Sequence, residues 1–308
     1  MKRFALLIAV TLLGIGFVAP AFAQDATPAT ATPPFVTAPQ LGVSEFDIVI
    51  TDEGYDAPSS LPAGRYLVNV TNSTEAPAAA AFLMPPADWT LEQVQTALTP
   101  PTDENAPPPD DTWLYRAPIA GGAGGLPGMT NQAVIVLGPG RWVIWGDDPG
   151  SPIPLAEVMV TGALPATIGE LAASTVTITA TSNAHGYDFA IEGDIVAGQQ
   201  LVTFVNKTDQ PHFVSSLITP VPLDDEMFMQ LFMMEEGATP VPESGLPSPE
   251  EIMDNPSYIT TISAGVTIWS VMDFPAGYHT LVCFVPELTS PEGLPHAAFG
   301  MIEHIEVS

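Results

Sequence analysis

The only cysteine of this 308-residue chain, Cys283, ends a run of strand-like alternation, GYHTLVCF. His296 and Met301 follow after a turn-rich loop, ahead of a second alternating run, IEHIEV. A thiolate, an imidazole and a thioether gathered about one loop are soft and borderline donors, the kind that select copper over magnesium or calcium. One more imidazole would complete a set of two histidines, one thiolate and an axial thioether. His212, in the segment FVNKTDQPHFVSS, is the candidate.

The succession Gly277, Cys283, His296, Gly300-Met301 and the trailing IEHIEV resembles the C-terminal hairpin of the cupredoxins, blue copper proteins of the plastocyanin and azurin type. In that family one histidine follows an earlier strand and the other three ligands lie on the last loop; His212, after the apolar run LVTFVN, stands in the earlier place. Twelve residues separate Cys283 from His296, where the family has only a few, and His279 stands where the family often has an aromatic residue. The resemblance spans residues 174 to 308. It implies a single type 1 copper ion held by His212, Cys283, His296 and Met301, and a one-electron carrier role. It also implies that His296 is the exposed edge through which electrons leave.

The elements that must position these side chains come in two copies. AGRYLVNVTNSTEAPAAAAF matches AGQQLVTFVNKTDQPHFVSS, with Gly64 against Gly198, Asn72 against Asn206 and Pro77 against Pro211, each pair 134 residues apart. LEQVQTAL (91 to 98) has a helical period and a Thr90 cap, and its counterpart at the same offset is DEMFMQLF (225 to 232). PGRWVIWGD then aligns with AGYHTLVCF, Gly140 against Gly277. Alternation and β-branched content predict strands at FDIVIT, RYLVNVTN, AVIVLG and RWVIW in copy one, and at TVTITAT, LVTFVN, TIWSVMDF, YHTLVCF and MIEHIEV in copy two. The expected fold is all-β: two tandem cupredoxin-like antiparallel Greek-key sandwiches with short helical insertions. The domains are expected at 41–164 and 174–308.

Copy one lacks the ligands: Ala78 stands where His212 does, and Gly146 where Cys283 does. Met227, Met229, Met233 and Met234 read as the packed side of a helix rather than a cuprous site. His279 and His304 fall inside strands and His185 in a turn, so all three are left out of the site. The glycine run at 121 to 128 lacks the basic ending a phosphate loop needs. Asn72 and Asn206 each begin an Asn-X-Thr glycosylation pattern.

Lys2 and Arg3 before the apolar run from Phe4 to Val18, with Ala21-Phe22-Ala23 after it, read as a secretory signal cleaved near Ala23. Residues 24 to 40 read as a Pro/Thr/Ala-rich tether. The expected location is therefore extracytoplasmic, secreted or periplasmic, with no stable membrane insertion. The chain has 6 basic against 35 acidic side chains. Such a surface repels nucleic acid and suits a basic redox protein as partner. A lone cysteine excludes an internal disulfide framework. Two other readings use the same features: a copper-delivery protein without redox cycling, and a metal-free tandem sandwich binding partners at the cell surface. With only 5 histidines the chain lacks the additional copper sites of the copper enzymes, so it is expected not to be an enzyme.

Overall fold

A computed structural model describes residues 35–99, 112–148, 151–166, 171, 174–184, 186–234, 245–248, 251–255, 257–290 and 293–308. The expected signal segment, most of the expected tether and His185 lie outside them. The first half contains α1 (Ala38–Leu41), β1 (Ser44–Thr51), β2 (Gly54–Asp56), β3 (Ser60–Pro62), β4 (Gly64–Asn72), β5 (Ala78–Leu83), α2 (Leu91–Leu98), α3 (Thr112–Arg116), β6 (Ile119–Gly125), β7 (Thr130–Leu137), β8 (Gly140–Trp145) and β9 (Ala156–Thr161). The second contains β10 (Val176–Asn183), β11 (Gly186–Glu192), β12 (Gly198–Asn206), β13 (His212–Thr219), α4 (Asp225–Phe232), β14 (Met253–Asp254), β15 (Ser257–Ile262), β16 (Thr267–Phe274), β17 (Gly277–Val282) and β18 (Ile302–Val307).

The repeat read from the sequence is reproduced in the pairing. Strand β4 runs parallel to β1 and antiparallel to β7; its counterpart β12 runs parallel to β10 and antiparallel to β16. The sheets are therefore mixed rather than purely antiparallel. Gly140 and Gly277 open β8 and β17 with φ of 146° and 144°, a backbone region that glycine enters without strain. Both predicted helices form as expected, capped by Thr90 and Asp224.

The two halves share their sheets. One sheet runs β11-β10-β12-β16-β7-β4-β1-β2, and the other β18-β17-β13-β15-β6-β5-β8-β9-β3. Each crosses the seam by pairing a strand with its own repeat partner: β16 with β7, and β15 with β6. The contact has the self-complementary character of a two-fold dimer interface, built within one chain. A single apolar core runs between the sheets and contains Phe46, Phe82, Phe204, Phe274, Cys283 and Met301.

Strands β5 (AAAAFL) and β6 (IAGGAGG) carry no strand signature, and packing explains them. A methyl group on Gly122 would overlap the Ala80 carbonyl, and one on Gly124 would lie 2.8 Å from the Tyr258 ring. The glycine run is shaved so that β6 can lie between β5 and the second half. Among the expected tether residues, Val36 exchanges two hydrogen bonds with the Gln132 side chain, and Ala38 is buried beneath Leu67 and Val134.

Candidate metal centre

Asn206, at the end of β12, fixes where His212 begins β13. Its Nδ2 donates to the carbonyls of Gln210 (2.7 Å) and Ile262 (3.2 Å), and its Oδ1 accepts from the amide and hydroxyl of Thr208 (3.0 and 2.9 Å). Asn72 repeats this network with Ala76, Gly125 and Thr74. The Asn-X-Thr pattern is thus a duplicated turn. Asn72 and Asn206 are 1% and 0% exposed, so neither offers its amide to a glycan in the folded chain.

The twelve-residue spacing between Cys283 and His296 is pinched off at its base. The His296 amide donates to the Val285 carbonyl (2.8 Å), the Glu287 amide to the Leu294 carbonyl (2.8 Å), and Pro286 bridges Pro295. The described residues beyond this neck, through 290 and from 293, form a finger, and His296 returns beside the cysteine. The amide of Ala297 donates to the Cys283 carbonyl (3.0 Å) and that of Met301 to the His296 carbonyl (3.1 Å). Gly186 lets the β10–β11 hairpin approach this loop, since a Cβ there would collide with Phe299.

The structure brings three of the predicted residues together. Cys283 Sγ lies 3.6 Å from His212 Nδ1 and 3.7 Å from His296 Nδ1, and all three side chains are completely buried. The fourth, Met301, is also 0% exposed and belongs to the same core cluster as Cys283. Among the described residues, His212, Cys283 and His296 are the one group of His, Cys, Asp and Glu able to hold a metal ion, with ligand atoms within 4.8 Å of one another.

Both imidazoles turn a bare nitrogen toward the sulfur. Thr208 has one hydroxyl hydrogen, shared between the acceptors Asn206 Oδ1 and the Gln210 carbonyl (2.9 and 3.1 Å). With its hydrogen given to either of these, it accepts from His212 Nε2 at 2.7 Å, an arrangement that leaves the lone pair on Nδ1. His296 Nε2 faces two acceptors, Gln210 Oε1 at 3.2 Å and Glu287 Oε2 at 3.5 Å, which again places the lone pair on Nδ1. Ion-to-sulfur and ion-to-imidazole bonds of ~2.3 and ~2.0 Å would separate sulfur and nitrogen by roughly 3.5–3.8 Å, the spacing found here.

Burial governs the titration of all three. It lowers His212 to about 2, helped by the neighbouring His296, and lowers His296 to about 4 against the pull of Glu287 and Asp209. Burial likewise pushes the Cys283 thiol up to about 12, against hydrogen bonds from the Phe213 and Val285 amides. The histidines are poised as neutral ligands, and the thiol keeps its proton until something replaces it.

One expectation is corrected: His296 is not an exposed edge. It is 0% exposed, with the Tyr187 ring centroid 4.4 Å away and tilted by 49°, and Gln210 and Glu287 beyond its Nε2. Sequence reasoning missed Thr208, Gln210, Tyr187 and Glu287. The first two were discoverable from the duplicated turn; Tyr187 and Glu287 left no signal. His279, excluded from the site, is buried and satisfied by Ser216 (2.8 Å) and the Pro275 carbonyl (2.7 Å). His304 bonds Thr280, and its Nε2 lies 3.2 Å from Asp225 Oδ1. Met227 and Met229 pack as read, whereas Met233 is 62% exposed and lies off the packed face. In copy one the place of the cysteine is filled, because a Cβ on Gly146 would run into the Ser151 side chain.

No known protein family and no curated protein matches the chain. Solved structures do. A multicopper oxidase is 12% identical over 89% of this chain and 100% of its own, with a TM-score of 0.22. A blue copper oxidase from Nitrosomonas europaea is 14% identical over 86% of each chain, TM-score 0.21. Reduced auracyanin from Roseiflexus castenholzii is 18% identical over 43% of this chain and 94% of its own, TM-score 0.24. Two of these are oxidases, which are enzymes, and the expectation that this chain is not an enzyme falls with them. The chain has the all-β, cupredoxin-like sandwich fold expected from its sequence.

Proposed function

We propose that the second half of the chain binds one copper ion, which His212 Nδ1, Cys283 Sγ and His296 Nδ1 would hold with the Met301 thioether as a further, weaker donor, and serves as a one-electron carrier. The observation that carries this reading is the convergence of two bare imidazole nitrogens on one buried sulfur, at 3.6 and 3.7 Å. Two imidazoles, a thiolate and a weak thioether suit copper better than a hard ion. When bound, copper supplies the change of one electron.

The chain's own residues hold that set still. Thr208 and the Glu287–Gln210 pair fix both rings, the finger neck fixes the loop, and complete burial excludes water. A donor set that keeps its arrangement through a change of charge needs little rearrangement for transfer. Burial also favours slow metal exchange, which speaks against the delivery reading.

Export to an extracytoplasmic location, after cleavage near Ala23, belongs to the proposal and rests on the pattern of residues 1–23. No helix among the described residues is long and apolar enough to cross a membrane. A net charge of −29 supports a basic redox protein as partner, docking more weakly as salt rises. The two-domain division at 41–164 and 174–308 also belongs to the proposal, with copy one as a scaffold that covers the site's seam.

The test is a copper(II) titration followed by visible absorption. One equivalent should give an intense band that Cys283→Ser abolishes. No band in the wild type, or zinc retained in preference to copper, contradicts the proposal.

A further inference from the structure

Glu287 is a carboxylate buried in the finger, 8% exposed, the one Asp or Glu in the buried class among the described residues. Its oxygens accept from Gln210 Nε2 (3.0 and 2.9 Å), from the Thr289 amide (3.1 Å) and from the Thr289 hydroxyl (2.7 Å). The far nitrogen of His296, Nε2, lies 3.5 Å from its Oε2.

The finger neck is closed by backbone bonds. A buried carboxylate is costly unless it is satisfied, and this one is satisfied by Gln210 and Thr289 while its Oε2 stays 3.5 Å from the imidazole Nε2. A carboxylate behind a ligating histidine fixes the ring's tautomer and makes the near nitrogen more basic.

We infer that Glu287 is a positioning residue for the metal centre: acting through His296 Nε2–H, it keeps Nδ1 bare and biases the bound ion toward its more oxidised, more positive state. Gln210 serves the same end, since its amide group clamps Glu287 while its Oε1 lies 3.2 Å from the His296 ring. This inference rests on the copper reading for its redox half and on the apoprotein alone for its tautomer half.

Two measurements on the full chain test it. In metal-free protein, nitrogen NMR of the histidines should show His296 as a single Nε2–H tautomer in the wild type and as a mixture in Glu287→Leu. In copper-loaded protein, the near-isosteric Glu287→Gln should favour Cu(I) over Cu(II) by at least tenfold relative to wild type, a rise in potential of about 59 mV. A merely structural residue would move thermal stability and leave both readouts in place. Unchanged tautomer in Glu287→Leu, or unchanged potential in folded Glu287→Gln, overturns the inference. If Glu287→Leu does not fold, Glu287→Gln supplies both measurements. Should no variant take up copper, the proposed function fails, and the tautomer measurement still decides whether Glu287 orients His296.

Discussion

Each ligand side chain is held in the protonation state that a metal needs, except one. The imidazoles are kept neutral by burial, which lowers His212 to about 2 and His296 to about 4. The thiol is kept protonated by the same burial, up to about 12. A metal must therefore displace the thiol proton and nothing else. Calorimetric titration at pH 7 in buffers of different ionisation enthalpy should report release of about one proton per copper ion. Release of two or more would mean that the histidines start out charged, against the hydrogen-bond assignment at Thr208 and Glu287.

At the scale of elements, the site depends on a strand start, a strand end and a neck. Asn206 sets the first, the alternation of β17 the second, and the Val285–His296 and Glu287–Leu294 bonds the third. The strands with β-branched alternation, such as β12 and β16, were legible because their composition and their packing agree. Strands β5 and β6 were not. Alanine and glycine there answer to close backbone approach across the seam, which local propensity does not encode. Gly122→Ala should accordingly cost about 3 kcal/mol in denaturant unfolding, since the overlap is with backbone that cannot yield. Gly138→Ala, where the nearest atom is 3.8 Å away, should stay within about 0.5 kcal/mol. The ligand set was legible in residue type and order. The burial of His296 was not, because the residues that cover it come from β11, the Asn206 turn and the finger.

At the scale of the molecule, the first half lends the second more than bulk. Tyr115 donates to the Pro286 carbonyl at the finger base (2.6 Å), and Asp147 Oδ2 accepts the Thr261 amide across the seam (2.9 Å). Asp147 occupies left-handed backbone at φ 58°, and its Oδ1 is sealed from solvent with no partner, although the residue is partly exposed as a whole. Burial pushes its carboxyl up to about 7, against hydrogen bonds from Thr261. An acid whose pKa is higher in the folded chain than the usual 3.8 costs no stability below that value. The cost grows as pH rises through the window from 3.8 to about 7, and is constant above it. Asp147→Asn should then leave stability near pH 3.5 unchanged and raise it by about 2 kcal/mol at pH 8, allowing for partial solvent access. A stability difference independent of pH would show that the Asp147 charge is not what the seam opposes.

The account stands most directly on what surrounds the bound ion. X-ray absorption at the copper edge of the loaded protein should find one short sulfur neighbour and two imidazole nitrogens, with the sulfur neighbour lost in Cys283→Ser. A first shell of nitrogen and oxygen alone, the same in wild type and Cys283→Ser, would contradict it.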